Sequence, residues 1–284
     1  MTDNDYIVHR IPKRDGTMRI LHEPKPALKM KQKQIQRYLQ ARGLKGSYCA
    51  HGFIPGRSAV THAKNHLHKR IIIKCDIEDF FGSTTKSMVS KALANCGLDK
   101  DTITDICNIC MLNNALPQGA PTSPLLSNLA FLDLDKRLAG LAKKFSATYS
   151  RYADDMCFSG NDPQLNVILP QVKYVVENCG YKLKDSKTRV LRRNRSQIVT
   201  GVVVNQKLNV PRELKHNTRA RLFKLKQSLL AGKAFDETEF TKLRGLVAYF
   251  QAVSVETACK FRAAVREIEA LLAMSSRLSV TQTR

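Results

Sequence analysis

Acidic side chains are scarce in this chain. Its 284 residues carry 24 Asp and Glu against 47 Lys and Arg, a formal net charge of +23 with an isoelectric point near 9.9. A surface made only for solubility mixes its signs. The imbalance therefore points to a polyanionic partner, of which nucleic acid is the commonest. No apolar run is long enough to span a membrane, and no signal peptide is recognisable. The eight cysteines follow no disulfide framework. Cys107 and Cys110 form a lone Cys-x-x-Cys in an apolar helical run with no second pair at zinc spacing, so they read as buried thiols in a reducing, cytoplasmic setting. There is no internal repeat and no low-complexity tract. A hydrophobic content of 43% is enough for a substantial core, in one large domain or two small ones.

What positive charge there is comes in clusters. Residues 10–45 hold Arg10, Lys13, Arg14, Arg19, Lys25, Lys29, Lys31, Lys33, Arg37, Arg42 and Lys45 against Asp15 and Glu23 alone. Lys182, Lys184, Lys187, Arg189, Arg192, Arg193 and Arg195 stand against Asp185. If roughly six to ten of these met phosphates, affinity would fall about 10³–10⁵-fold between 50 and 200 mM salt.

The few carboxylates are placed tellingly. Arg151-Tyr152-Ala153-Asp154-Asp155 is flanked by Ala147, Thr148 and Tyr149 on one side and Met156, Cys157 and Phe158 on the other, which reads as two short strands joined by a tight turn. An Asp-Asp pair at a hairpin tip brings like charges within a few Å, an arrangement that a divalent cation relieves. Alone, the dipeptide is an ordinary turn. A third carboxylate comes from Ile71-Ile-Ile-Lys-Cys-Asp76: Ile71, Ile73, Cys75 and Ile77 alternate onto one face of a strand, and Asp76 joins Ile72 and Lys74 on the other.

The rest of the chain supplies a frame. Residues 6–20 predict a hairpin turning at Asp15-Gly16, with Lys13, Arg14 and Arg19 at its tip. Residues 26–41 predict a basic amphipathic helix with Leu28, Ile35, Tyr38 and Leu39 on its apolar side. Ser58 caps a helix that carries His62 and His66. Their i, i+4 spacing suits zinc, but no Glu lies between them and no third ligand is evident, so polar packing or RNA contact is the better reading. Helices over 84–114 divide at Gly97 and Asp99. Leu116-Pro-Gln-Gly-Ala-Pro-Thr-Ser-Pro124 then feeds one long helix through Leu141, capped by Thr122 or Ser123. Gln118 and Gly119 lie where that loop and helix start would meet a phosphate or a base-pair edge. A helix over 163–179 ends at Gly180, residues 181–193 return as a basic strand and turn, and 198–205 predict a strand on which 206–210 pairs back. Residues 211–274 are helical; with Arg219, Arg221, Lys224 and Lys226 they read as a lobe gripping a duplex.

These blocks, in this order and over nearly the whole chain, resemble the reverse transcriptases, and within them the bacterial retron type. Cys75-Asp-Ile-Glu-Asp-Phe-Phe81 is similar to the first catalytic motif, Pro117–Pro124 to the second, Tyr152-Ala-Asp-Asp155 to the third, Gly180–Thr188 to the fourth and Val202–Leu214 to the primer grip. Val199-Thr200-Gly201 matches the retron Val-Thr-Gly element. His62-Ala-Lys-Asn-His66 resembles the retron Asn-Ala-x-x-His element, with His62 in place of its Asn.

The resemblance implies an α+β fold: a right-hand polymerase with fingers over 1–70 (with 84–115 inserted), a palm of antiparallel sheet backed by helices over 71–205, and a helical thumb over 206–284. It implies an RNA-directed DNA polymerase in which Asp76, Asp154 and Asp155, with the Ile77 carbonyl, hold two Mg²⁺ (Mn²⁺ as the alternative) about 3.5–4 Å apart. Lys13 and Arg19 would clamp the dNTP triphosphate, Phe81 would exclude a 2′-hydroxyl, Gln118 and Gly119 would track the nascent pair, and Lys187 would protonate pyrophosphate. RNA contacts would fall to His62, His66, Val199, Thr200, Gly201, Arg219 and Arg221. The implied template is a structured noncoding RNA primed from an internal guanosine 2′-hydroxyl, giving a branched RNA–DNA, msDNA. A host RNase H would remove template, and an effector protein would join the product in anti-phage defence. Three rivals stay open: a group II intron-like or other stand-alone bacterial reverse transcriptase, a catalytically idle RNA-binding scaffold, and a nucleotide cyclase sharing the palm sheet.

Overall fold

The computed structural model describes residues 3–13 and 16–281. Strands β1 (Tyr6–Pro12) and β2 (Met18–Pro24) form an antiparallel hairpin. Of its tip, Arg14 and Asp15 lie outside the described residues. Helix α1 (Pro26–Ala41) follows, then α2 (Ala59–Lys64), strand β3 (Ile71–Asp76), α3 (Lys86–Asn95), α4 (Lys100–Cys110), α5 (Ser123–Ala130) and α6 (Leu132–Lys144). Strands β4 (Thr148–Tyr152) and β5 (Asp155–Gly160), helix α7 (Leu169–Glu177), strand β6 (Arg189–Arg192), the short pair β7 (Ile198–Val199) and β8 (Val202–Val203), and helices α8 (Arg212–Leu230), α9 (Glu237–Val253) and α10 (Val255–Thr281) complete the order.

The central sheet runs β4-β5-β3-β6, antiparallel throughout. The alternation along β3 is the one its sequence predicts. Ile71, Ile73, Cys75 and Ile77 enter a core with α6, α7 and Phe131, whereas Ile72 enters a second core with Cys157, Ala63 and the three C-terminal helices. A third core joins α3, α4 and α5. Ser58 caps α2 through a reciprocal capping box with Thr61.

Three sequence expectations need correction. The single long helix after Pro124 is two helices, broken at Phe131. The break lets Leu125, Leu126 and Leu129 pack in the third core while Leu134, Leu138 and Leu141 turn into the first, and Phe131 fills the corner with no exposed surface. The strand over 198–205 is folded back on itself, because Thr200 and Gly201 both take positive φ (47° and 79°) and Val203 then bridges to Asn209. On α1, Tyr38 is 40% exposed and accepts from Arg42, while Gln32 takes the buried place, donating to Tyr6 Oη and the Ile109 carbonyl.

Replacing Phe131 with Ala empties that corner. Denaturant unfolding should show a loss of about 3–5 kcal/mol, with the slope unchanged.

Candidate functional site

The turn between β4 and β5 is two residues long, Ala153 and Asp154, with Tyr152 and Asp155 paired across it. Antiparallel pairing with β3 puts Asp155 directly opposite Asp76. The Ile77 amide donates to the Asp154 carbonyl (3.2 Å), which fixes the turn against the end of β3. All three carboxylates of the sequence analysis are therefore neighbours on adjacent strands. Asp76, Asp154 and Ile77 line one cavity of about 870 Å³, together with Lys13, Arg19, Phe53, Phe81, Gln118, Lys184 and Lys187. Asp155 does not line it and is paired to Lys74 (3.3 Å).

The electrostatics are those of carboxylates short of positive charge. Burial, and then the charge of Asp76, pushes the Asp154 carboxyl above its ordinary value. Burial also raises Asp155, with Lys74 working against it. Lys187 donates to both oxygens of Asp76, at 2.8 and 2.7 Å. Lysine ammoniums thus stand against two carboxylates of three, Asp76 and Asp155, and Asp154 has no ion pair of its own among the described residues. Clustered carboxylate oxygens suit a hard divalent cation.

The other predicted residues separate into those that reach the cleft and those that do not. Lys13 and Arg19 reach it from the hairpin; Phe81 lies 6.1 Å, ring to ring, from Phe53, while Phe80 is buried in the first core. Gln118 reaches it too. Gly119 instead serves the hairpin: its φ is +120°, a Cβ there would lie 2.9 Å from the His22 carbonyl oxygen, and the His22 amide donates to Gln118 O at 2.7 Å. Arg219 is exposed and lies 5.9 Å from the Phe261 ring centre; Arg221 is tied to Glu239 (2.6 Å).

His62, His66 and Val199 are corrections, because all three are fully buried and cannot touch RNA. His62 Nδ1 pairs with Thr200 Oγ1 (2.6 Å), and His66 pairs with Ser159 Oγ (2.7 Å) and Ser150 Oγ (2.8 Å). Burial lowers His62 to about 3 and His66 well below the ordinary imidazole value, so both rings are neutral. Ligand-type atoms of His62, His66 and Cys157 do fall within 4.8 Å of one another. Both nitrogens of His66 are already engaged by serine hydroxyls, however, so polar packing accounts for the group. Thr200 is held by the same network, and of the Val-Thr-Gly element Gly201 is the exposed member.

Sequence reasoning missed Lys74, Phe53, Lys184 and the buried pair Asp135–Arg151. The i, i+2 spacing of Lys74 and Asp76 on one strand face was the available signal for Lys74; nothing local marks the rest.

Residues 11–217 match the family model described as reverse transcriptase (RNA-dependent DNA polymerase). The chain is 37% identical to the retron Mx65 reverse transcriptase of Myxococcus xanthus over 89% of its length, and 35% identical to the retron Mx162 reverse transcriptase of the same organism over 94%. It spans 62% of the length of each. It is 29% identical to the retron Ec86 reverse transcriptase of Escherichia coli, over 88% of this chain and 77% of that one. In fold it is similar to apo telomerase from Candida tropicalis (TM-score 0.59, 12% identity, 98% of this chain, 58% of that one). It is likewise similar to a foamy viral protease-reverse transcriptase bound to double-stranded DNA (TM-score 0.52, 15% identity, 94% and 43%).

The raised carboxyls set a pH test. Asp154 holds its proton more tightly folded than unfolded, so its contribution to stability is present at low pH and is lost as pH rises through the raised value. Metal-free Asp154→Asn should therefore melt above wild type at pH 8, with the gap closing on acidification. Wild type alone should gain stability from Mn²⁺, about 2.7 kcal/mol at roughly 100-fold excess over Kd, and should lose that gain as pH falls. Differential scanning calorimetry reads both.

Proposed function

The chain belongs to the reverse transcriptases, of the retron type, and from that premise we propose that it copies a structured noncoding RNA into single-stranded DNA from dNTPs. Synthesis starts from an internal guanosine 2′-hydroxyl and yields branched RNA–DNA. The observation that carries the reading is that Asp76 and Asp154 meet at one cleft that also receives Lys13, Arg19 and Gln118, with Asp155 paired to Asp76 across the adjoining strands. In this reading residues 1–70 with 84–115 are the fingers, 71–205 the palm and 206–284 the thumb.

Asp76, Asp154, Asp155 and the Ile77 carbonyl would hold Mg²⁺, with Mn²⁺ as the alternative. Bound there, such ions lower the pKa of an attacking hydroxyl and neutralise triphosphate charge. Lys13 and Arg19 bring the positive charge that seats the triphosphate opposite the carboxylates. Lys187 now neutralises Asp76; released from it, its ammonium lies in the same cleft and can give a proton to departing pyrophosphate. The half-buried Phe81 ring, braced by Phe53, fills the space a ribose 2′-hydroxyl would need. Gln118 lines the same cavity and tracks the nascent pair. Arg219 on α8 and the exposed turn at Gly201 face the RNA–DNA duplex. Template removal by a host RNase H, association with an effector protein and a role in anti-phage defence follow from the retron likeness.

Asp154→Asn and Asp155→Asn should each cut dNTP incorporation to about a thousandth of wild type or less while RNA binding persists. Retained polymerisation in either variant refutes the assignment. Phe81→Val should admit ribonucleotides, lowering discrimination roughly tenfold or more. Sequencing nucleic acid copurified from cells should recover covalently joined RNA and DNA; bulk cellular RNA alone would mean a scaffold.

A further inference from the structure

An ion pair with no exposed surface lies directly behind the two-residue turn. Arg151 Nε donates to both oxygens of Asp135, at 2.8 and 3.0 Å. The same carboxylate accepts from Tyr149 Oη (2.8 Å) and Ser47 Oγ (2.5 Å), so its four acceptor positions are filled and it cannot turn. The guanidinium carbon lies 4.6 Å from the centre of the Phe131 ring. From this fixed seat Arg151 Nη1 reaches the carbonyl of Ala153 at 3.3 Å.

Buried ion pairs are poor stabilisers, because desolvation offsets attraction and apolar residues of similar volume often serve as well. The reason for this one is sought in what it holds. Ala153 has φ of +55°, a conformation unfavourable for a residue with a Cβ and kept only where its surroundings impose it. Here they do. The Arg151 amide donates to Cys49 O and the His51 amide to Arg151 O, at 2.9 and 2.8 Å. Gly52 approaches so closely that a Cβ on it would overlap the Ala153 amide nitrogen. The carbonyl that Nη1 grips belongs to the peptide leading into Asp154. Holding it sets the direction in which Asp154 leaves the turn.

We propose that Arg151, oriented by Asp135, is a positioning residue for nucleotidyl transfer: it locks the Ala153–Asp154 peptide so that Asp154 and Asp155 face Asp76 against their mutual repulsion. This rests on the polymerase reading. A lysine could not replace it, since one ammonium lacks the fork that takes the carboxylate and the carbonyl together.

The test uses the full chain with its copurified RNA and two variants. Arg151→Lys keeps the charge. The triple variant Asp135→Leu/Tyr149→Phe/Arg151→Met replaces the buried polar group with apolar side chains and leaves no orphaned phenol. The triple variant should melt cooperatively near the wild-type temperature and bind RNA within about twofold of wild type, as expected for a change outside the binding surface. It should nevertheless incorporate dNTPs roughly 100-fold more slowly at an unchanged dNTP KM, and need about tenfold more Mn²⁺ for half-saturation by electron paramagnetic resonance, the range in which metal supports act. Arg151→Lys should show the same split. A triple variant that folds, polymerises and binds Mn²⁺ like wild type overturns the proposal. If the triple variant does not fold, unchanged Mn²⁺ affinity and turnover in Arg151→Lys overturn it equally. Mn²⁺ binding is read without polymerisation, so the two failures are distinguishable: a wild-type protein that binds Mn²⁺ but never extends a primer sinks the polymerase reading, whereas variants that bind Mn²⁺ and extend like wild type sink only the role of Arg151.

Discussion

Asp76 and Asp155 face each other across the β3–β5 ladder, with Asp154 at the adjoining turn, and their charges repel wherever no cation lies among them. Like charges directly opposite on neighbouring strands destabilise a sheet. The chain keeps them there by two means. Lys74 and Lys187 neutralise the outer pair, Asp155 and Asp76. The backbone of the turn is held by bonds that do not depend on its carboxylates, from Ile77 on one side and from residues 49–51 on the other. Asp154 faces the cavity with neither lysine bonded to it, so an added cation gains most there. Stability given up at such a place is the usual mark of a site kept for function.

Strand β3 also explains how the site and the C-terminal lobe come to be one body. Its odd-numbered residues fill the core beneath the sheet, while Ile72 joins the core of the three last helices, with Val199, Val202 and Phe250. Lys74 and Asp76 continue that second face toward the strand's end. The helical lobe and the carboxylates thus share one face of one strand, the lobe at its start and the charges at its finish. A duplex held by the lobe would be referred to the cleft through β3 itself rather than through a flexible joint.

Where local chemistry decides a feature, the sequence showed it. The period-2 pattern of 71–77, the Ser58 cap and the helix pattern of α1 were legible because each rests on residues a few positions apart. The failures came where distant partners decide. Leucine spacing ran smoothly across Phe131, and only two separate cores reveal why the helix must break there. The apolar run over 198–205 looks continuous until Thr200 is tied to His62 from a helix far upstream. For His62 and His66 the sequence left polar packing and RNA contact both open; the serines that satisfy His66 come from β4 and β5, invisible from its own neighbourhood. Arg151 belongs with these. Its sequence neighbours give it no role, and its acceptor lies on α6.

The excess positive charge takes on a more specific meaning in this setting. Most of it is exposed, as a polyanion-binding surface requires. Lys13 and Arg19, however, are carried by a hairpin that exposes Ile7, Val8, Ile11, Met18 and Ile20. Tyr6, packed with Leu28 and Leu112, anchors its base, and main chain ties it to the Gln118 loop: the His22 amide on Gln118 O, and a glycine at 119 that allows the two backbones to meet. The loop that would read the base pair is therefore also the anchor of the arm that would hold the triphosphate. A disturbance at Gly119 would reach both ends of the nucleotide at once, whereas loss of Lys13 or Arg19 would touch only one. That coupling follows from the backbone contact between His22 and the Gln118 loop, whatever occupies the cleft.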